Sequence, residues 1–138
     1  MVKGIDYAVW RPRILSLLRI VTGLLFLEHG TQHLFGFPAS ANPVPPLFSL
    51  YGIQGILELC GGVLIVIGFC TRPVSFIMSG DMAFAYFMSH APANFFPILN
   101  RGDAAILYCF IFLYFAVAGG GVWGLDAFRR ADKLAVLA

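Results

Sequence analysis

At 138 residues, 59% of them hydrophobic and only 12% charged, the chain has about half the charged share of an ordinary soluble domain. A soluble protein of this size has more surface than so few charges can cover, so the composition argues for a lipid bilayer as solvent. The net charge of +2 gives no basis for nucleic-acid binding.

The first 13 residues carry Lys3, Arg11 and Arg13. They lack the short apolar core and small-residue cleavage site of a signal peptide, so the first apolar run is read as a retained span. That run is Ile14–Phe37. Leu47–Phe69, Pro73–His90 and Ala104–Leu125 follow. A helix needs about 17–25 residues to cross the hydrocarbon core, and each run is long enough. None shows the period-two alternation of a membrane strand. The expected fold is therefore all-α: an integral membrane four-helix bundle forming a single domain over residues 1–138.

Turn chemistry separates the runs. Pro38, Pro43, Pro45 and Pro46 break the chain after the first. Cys70–Thr71–Arg72–Pro73 is a tight turn, with Pro73 suited to open the third helix. Pro92, Asn94, Pro97 and Asn100 fill the next loop, and Asp103 is placed to cap the fourth helix. Gly119–Gly121 ends that helix or lets it unwind. Cys60, Cys70 and Cys109 form no CxxC and no Cys/His metal spacing, and they read as small packing residues.

Orientation follows from the basic residues. With four crossings, Lys3, Arg11, Arg13, Arg72, Arg129, Arg130 and Lys133 fall on one side and Arg101 alone on the other. The positive-inside rule makes the crowded side cytoplasmic and places both termini there. Trp10 and Trp123 flank that side as interfacial anchors. The expected location is a bacterial-type inner (plasma) membrane, as a multi-pass protein with the lipid bilayer as its first partner.

Ionisable groups within the spans are costly and so mark candidate sites. Arg19 lies about 8 Å, and Asp81 about 12 Å, from the cytoplasmic ends of their helices. This similar depth predicts a structural ion pair. In the outer half, the first helix carries Glu28, His29, Gln32 and His33, and the second carries Gln54 and Glu58. His29 and His33 share a face at i, i+4. Tyr51, Gln54, Gly55, Glu58, Gly61 and Gly62 form a polar, small-residue stripe that admits a close neighbour and delivers Glu58 inward. His90, Asn100, Arg101, Asp103 and Tyr108 complete an expected polar pocket.

Imidazole and carboxyl groups exchange protons near neutral pH, and quinone reduction consumes two protons with two electrons, so the set suits that chemistry. His29, His33, Glu58 and Tyr108 are the candidate catalytic groups. Gln32, Gln54, His90, Asn100, Arg101 and Asp103 are the candidate ligand-binding groups. Metal binding by His29, His33 and Glu58 is the competing use. There is no Walker loop, GxGxxG motif or serine elbow, so electrons would have to arrive through a partner or a bound small molecule.

Several segments together resemble the DoxX family of small four-helix membrane proteins. His29-Gly30-Thr31-Gln32-His33-Leu34-Phe35-Gly36 is similar to the end of that family's first helix. Glu58-Leu59-Cys60-Gly61-Gly62, with Gly68-Phe69-Cys70-Thr71-Arg72, is similar to its second helix and turn. The stretch from His90 through Phe95-Phe96-Pro97 and Asn100-Arg101-Gly102-Asp103 to Leu107-Tyr108 matches in order, as does Gly119–Gly121 with Leu125-Asp126. His33 stands where many relatives carry Lys, and Asp103 where they carry Glu. The resemblance implies the four-helix fold and a membrane subunit associated with quinone-linked redox or oxidative-stress systems, with a redox partner subunit. A non-enzymatic anchor or assembly subunit, a homo-oligomer and a small-solute transporter are the other readings that the residues leave open.

Overall fold

The computed structural model describes residues 6–136. Among them the chain is all-helical, with no strand. Helix α1 spans Tyr7–Phe35, α2 Leu50–Ile67, α3 Thr71–Ala85, α4 Pro97–Asn100, α5 Asp103–Ala118 and α6 Leu125–Val136. A π-helical turn, Tyr86–His90, extends α3. Helices α1 and α2 are long and apolar enough to cross a membrane, while α5 is apolar but only 16 residues long.

The ends of the helices follow local chemistry more than hydropathy. α1 begins seven residues before its apolar run because the Asp6 carboxylate accepts the Ala8 N–H at 3.0 Å and caps the first turn. α2 starts at a Ser49 cap, whose hydroxyl accepts the Gly52 N–H at 3.2 Å, and ends at Gly68 with φ 68°. Pro73 lies in the first turn of α3, where a missing N–H costs nothing. Asp103 is the first residue of α5, but its side chain makes no cap bond, and Gly102 holds the cap position. The fourth expected helix, drawn to Leu125, stops at Ala118 because Gly119 and Gly121 adopt positive φ.

α1 packs along α2, α3 along α5, and α2 touches α3. The core between them is Phe26, Ile65, Met78, Met82, Ala85, Phe112 and Phe115. Ser16, Arg19, Thr22, Glu58, Thr71, Ser75 and Ser79 are buried with them. Outward go Leu17, Leu24, Ile53, Val63, Phe76 and Phe110, among many large apolar side chains. Polar groups inside and apolar ones outside suit a lipid solvent, where backbone and side-chain polar atoms must be satisfied internally.

The expected Arg19–Asp81 ion pair is not formed. Arg19 is fully buried and spends its guanidinium on backbone carbonyls: Ile65 and Val66 at the end of α2, and Gly120 and Trp123 in the glycine loop. The Nε–Gly120 and Nη1–Val66 distances are 2.9 and 2.7 Å. Four partially negative oxygens at a helix C-terminus and a tight loop hold the cation without a carboxylate. Ser16 joins this knot, accepting the Val122 and Trp123 N–H groups at 2.8 and 3.0 Å. Arg72 donates to the Ala116 and Val117 carbonyls at the end of α5. Asp126, the second residue of α6, accepts the Cys70 and Thr71 N–H groups at 2.9 and 2.8 Å and so caps α3 from across the chain. Burial pushes the Asp126 carboxyl up, but the hydrogen bonds from Thr71 and Cys70, with nearby Arg129, outweigh it and hold the group below its usual range. Trp10 and Trp123 are half-exposed nearby. Lys3 and the side chain of Lys133, counted in the basic flank, lie outside the described residues.

Candidate functional site

The far end of the bundle is built around one close helix crossing. A Cβ on Gly30 would lie 2.5 Å from the Leu59 backbone nitrogen, and one on Gly55 would lie 2.7 Å from the His33 Cβ. The missing side chains let α1 rest on the backbone of α2. That contact sets the stagger of the two helices, and it brings His33, one turn beyond His29, opposite Glu58.

The result is a bonded trio. His33 Nδ1 lies 2.7 Å from Glu58 Oε2, and Gln54 donates from Nε2 to Glu58 Oε1 at 3.2 Å. Glu58 is 3% exposed while the His33 side chain is 28% exposed. Both carboxylate oxygens are thus engaged, one by a group that exchanges protons and one by a group that does not. With Nδ1–H given to the carboxylate, His33 keeps Nε2 for another partner. This is the one ion pair among the described residues.

The trio opens on a cavity of about 330 Å³. Of the expected residues, His29, His33, Gln54, Glu58, His90, Arg101 and Tyr108 line it. The volume falls at the small end of ligand pockets and suits a single-ring molecule. One wall is aromatic: Tyr108 stacks on Phe112 with centroids 6.0 Å apart, and His29 meets Tyr108 edge-on at 6.0 Å. Opposite, the Tyr51 and Ser89 hydroxyls lie 3.3 Å apart. His90 gives Nδ1 to the Asn100 carbonyl at 3.0 Å and stacks beside Tyr86. The π turn of Tyr86–His90 shifts the register of α3 so that Ser89 and His90 both reach the cavity. Such turns recur at functional sites.

Three expected ligand-binding residues are not in the wall. Gln32 donates to the Pro38 carbonyl in the following loop at 3.1 Å. Asn100 is turned into its own loop, giving Nδ2 to the Asn94 carbonyl and accepting the Gly102 N–H at 2.8 and 2.7 Å. It touches the site only by orienting His90. Asp103 is exposed at the start of α5. Among the described residues no group of three His, Cys, Asp or Glu side chains is set to hold a metal ion.

Two polar residues of the wall were not among the expected ones, Tyr51 and Ser89. Tyr51 was legible as the outer end of the Gln54–Glu58 stripe. Ser89 was not, because hydropathy carries no sign of a π turn. Asp81 is half-buried, with Oδ2 buried and unpartnered. It lies within electrostatic reach of Glu58 and His33, so it belongs to this end and not to Arg19.

The DoxX family model matches residues 14–91, which include the trio and the π turn. The chain belongs to the DoxX family. An uncharacterized protein of Haemophilus influenzae is 40% identical over 126 residues, covering 85% of this chain and 91% of that protein. An uncharacterized membrane protein of Mycobacterium tuberculosis is 27% identical, covering 90% and 85% of the two chains. A Bacillus subtilis protein named "Putative oxidoreductase CatD" is 28% identical over 121 residues, covering 85% and 87%. No solved structure matches the chain. This DoxX protein is a membrane protein whose apolar outer surface is suited to contact with the bilayer.

Proposed function

We propose that this DoxX protein is the membrane subunit of a redox system and that its cavity handles the protons of a quinone or similar single-ring compound. The observation that carries the reading is the His33–Glu58 pair, 2.7 Å apart, at the edge of a cavity with aromatic walls. Taking a quinone to its quinol consumes two electrons, supplied by a redox partner subunit, and two protons. His33 and Glu58 pass protons between the cavity and bulk solvent, Tyr108 and Gln54 hydrogen-bond the ring oxygens, and Arg101 draws an anionic substrate to the mouth. The name carried by the Bacillus subtilis relative agrees with an oxidoreductase link.

In the same reading, residues 1–138 form one domain that crosses the bilayer four times. The crossings are α1, α2, α3 with its π turn, and α5, and both termini are cytoplasmic. The seven-to-one split of basic residues supports that orientation. The cavity then faces outward, and α6 lies along the inner surface.

Two experiments test these statements. Glu58→Gln keeps the size of the side chain and one acceptor oxygen but not its charge. It is expected to abolish quinone-dependent oxidation in whole cells while the purified protein stays monodisperse. Full activity in this variant, with no quinone bound by the purified wild type, refutes the reading. For topology, Asn42→Cys and Asn94→Cys in a background without Cys60, Cys70 and Cys109 should react with an impermeant reagent from outside, and Lys133→Cys should not. The opposite pattern inverts the protein.

A further inference from the structure

At the end of the bundle away from the proton pair, a groove of about 880 Å³ runs between the start of α3, the glycine loop and α6. Among the described residues its walls carry Arg72, Arg129 and Arg130 against one carboxylate, Asp126. We propose that this groove binds the phosphate headgroup of an anionic membrane lipid.

Among the described residues the arginines of the groove outnumber its carboxylates by three to one. Both Asp126 oxygens are taken by the Cys70 and Thr71 N–H groups, which leaves three guanidinium groups facing one committed carboxylate. Arg72 is pinned through Nη1 to the end of α5, so the rest of its planar fork is held in place. Arg129 lies over the Phe69 ring at 5.3 Å, which fixes its direction as well. Preset guanidinium forks are the usual partners of phosphate oxygens.

A second, independent observation points to a ligand. Thr71 lines the groove, is 1% exposed, and its hydroxyl has no partner at hydrogen-bond distance, although the Asp126 carboxylate lies close enough to attract it. It faces Gly120 across the groove floor, where a Cβ would stand only 2.8 Å from Oγ1. A buried hydroxyl without a partner costs free energy that an acceptor oxygen entering the groove would recover.

The phosphate group is shared by lipids and soluble metabolites, and the apolar walls favour the lipid. Leu15 and Val122 line the groove. Leu15 continues into Ile14, Leu17 and Leu18, which are exposed on α1. Phe128 projects from α6 at 65% exposure beside the basic pair. A basic helix with an outward aromatic at the edge of a membrane protein lies along the headgroup layer. Acyl chains would then run down α1 while the headgroup sits among the arginines. This inference depends on membrane placement and not on the quinone reading.

Trp123 is the chain neighbour of Val122, which lines the groove, and can report occupancy. Trp10→Phe leaves it as the sole tryptophan of a chain that has two. In mixed micelles, brominated phosphatidylglycerol is expected to half-quench Trp123 at about one-tenth the concentration needed for brominated phosphatidylcholine, as a few paired charges allow. Arg129→Gln with Arg130→Gln should erase the preference, and Arg13→Gln, basic but outside the groove, should leave it intact. If the double variant is not monodisperse, Arg130→Gln alone is read, with a partial loss expected. Equal quenching by the two lipids, or a preference that survives the groove variants, overturns the proposal. Complete suppression of the preference by millimolar inorganic phosphate, at a sodium chloride level of equal ionic strength that has no effect, assigns the groove to a soluble phosphate and overturns the lipid.

Discussion

The two ends of this small bundle both bury charged side chains, and they use them in opposite ways. At the Gly119–Gly121 end, Arg19, Arg72 and Asp126 bond almost wholly to backbone: the cations to carbonyls that end α2 and α5, the anion to N–H groups that begin α3. At the cavity end, Glu58 bonds to two side chains, one of them titratable, and faces open space. A charge fixed on helix termini completes the satisfaction of the backbone and has no reason to change protonation. A charge fixed on a histidine beside a cavity can exchange a proton with whatever enters. The partner of a buried charge, and not its burial, separates architecture from chemistry here.

The largest effect is expected where the architecture is densest. Arg19→Leu leaves the carbonyls of Ile65, Val66, Gly120 and Trp123 without their donor, a loss on the order of 3–5 kcal/mol. Thermal unfolding in detergent should show it as a collapse of folded yield. Because Asp81 is not the partner, adding Asp81→Leu should not restore stability, and the two changes should sum to within about 0.5 kcal/mol. Recovery in the double variant would mean that the two ends are coupled by an ion pair and would break the comparison.

At the cavity end, His33→Gln should lower activity by roughly 10²-fold or more with little change in melting temperature, since it removes a proton carrier and keeps a hydrogen-bond donor. His33→Lys sharpens the point. It can hold the contact with Glu58, but an ammonium near its ordinary value of about 10.4 releases protons poorly at neutral pH. Its activity should recover only as pH rises. A flat profile equal to wild type would show that position 33 serves charge alone.

Gly30→Ala tests whether the crossing that builds the site is as tight as drawn. The new Cβ meets backbone at Leu59, which cannot swing aside. A cost of about 1–3 kcal/mol is expected, together with weaker coupling of His33 to Glu58. An alanine variant with unchanged stability and activity would mean that α1 and α2 stand further apart.

Much of this was legible from particular residues. The outer polar cluster could be read because Glu58 and Gln54 share a helical stripe, and because His29 and His33 share another. Depth counting could not decide which of His29 and His33 meets Glu58, since it cannot see the stagger that Gly30 sets. It paired Arg19 with Asp81 because side-chain charges show in a sequence and carbonyl acceptors do not. Hydropathy drew the fourth run on to Leu125, although the Gly119–Gly121 run already marked where the helix ends. The basic residues after it were read as a flank, although Leu125 and Phe128, with Arg129 and Arg130 after them, already had the spacing of an amphipathic helix.

The smallest expected effect returns to the architectural end and concerns Asp126. Its carboxyl is held below its ordinary value of 3.8, because the Thr71 and Cys70 N–H groups and Arg129 outweigh the opposing effect of burial. A group whose pKa is lower in the folded state than in the unfolded state stabilises the fold above the unfolded value. That contribution disappears as pH falls through the folded value, when the carboxyl takes up a proton in both states. Asp126→Asn keeps one acceptor oxygen for the two N–H groups at the start of α3, so at neutral pH it should cost only about 0.5–2 kcal/mol, as lost helix caps do. The difference in melting temperature between wild type and variant should then shrink as pH drops below 3.8. A difference that stays constant down to strongly acid pH would show that Asp126 acts through shape alone, and that the charge on the α3 terminus contributes nothing to holding this end together.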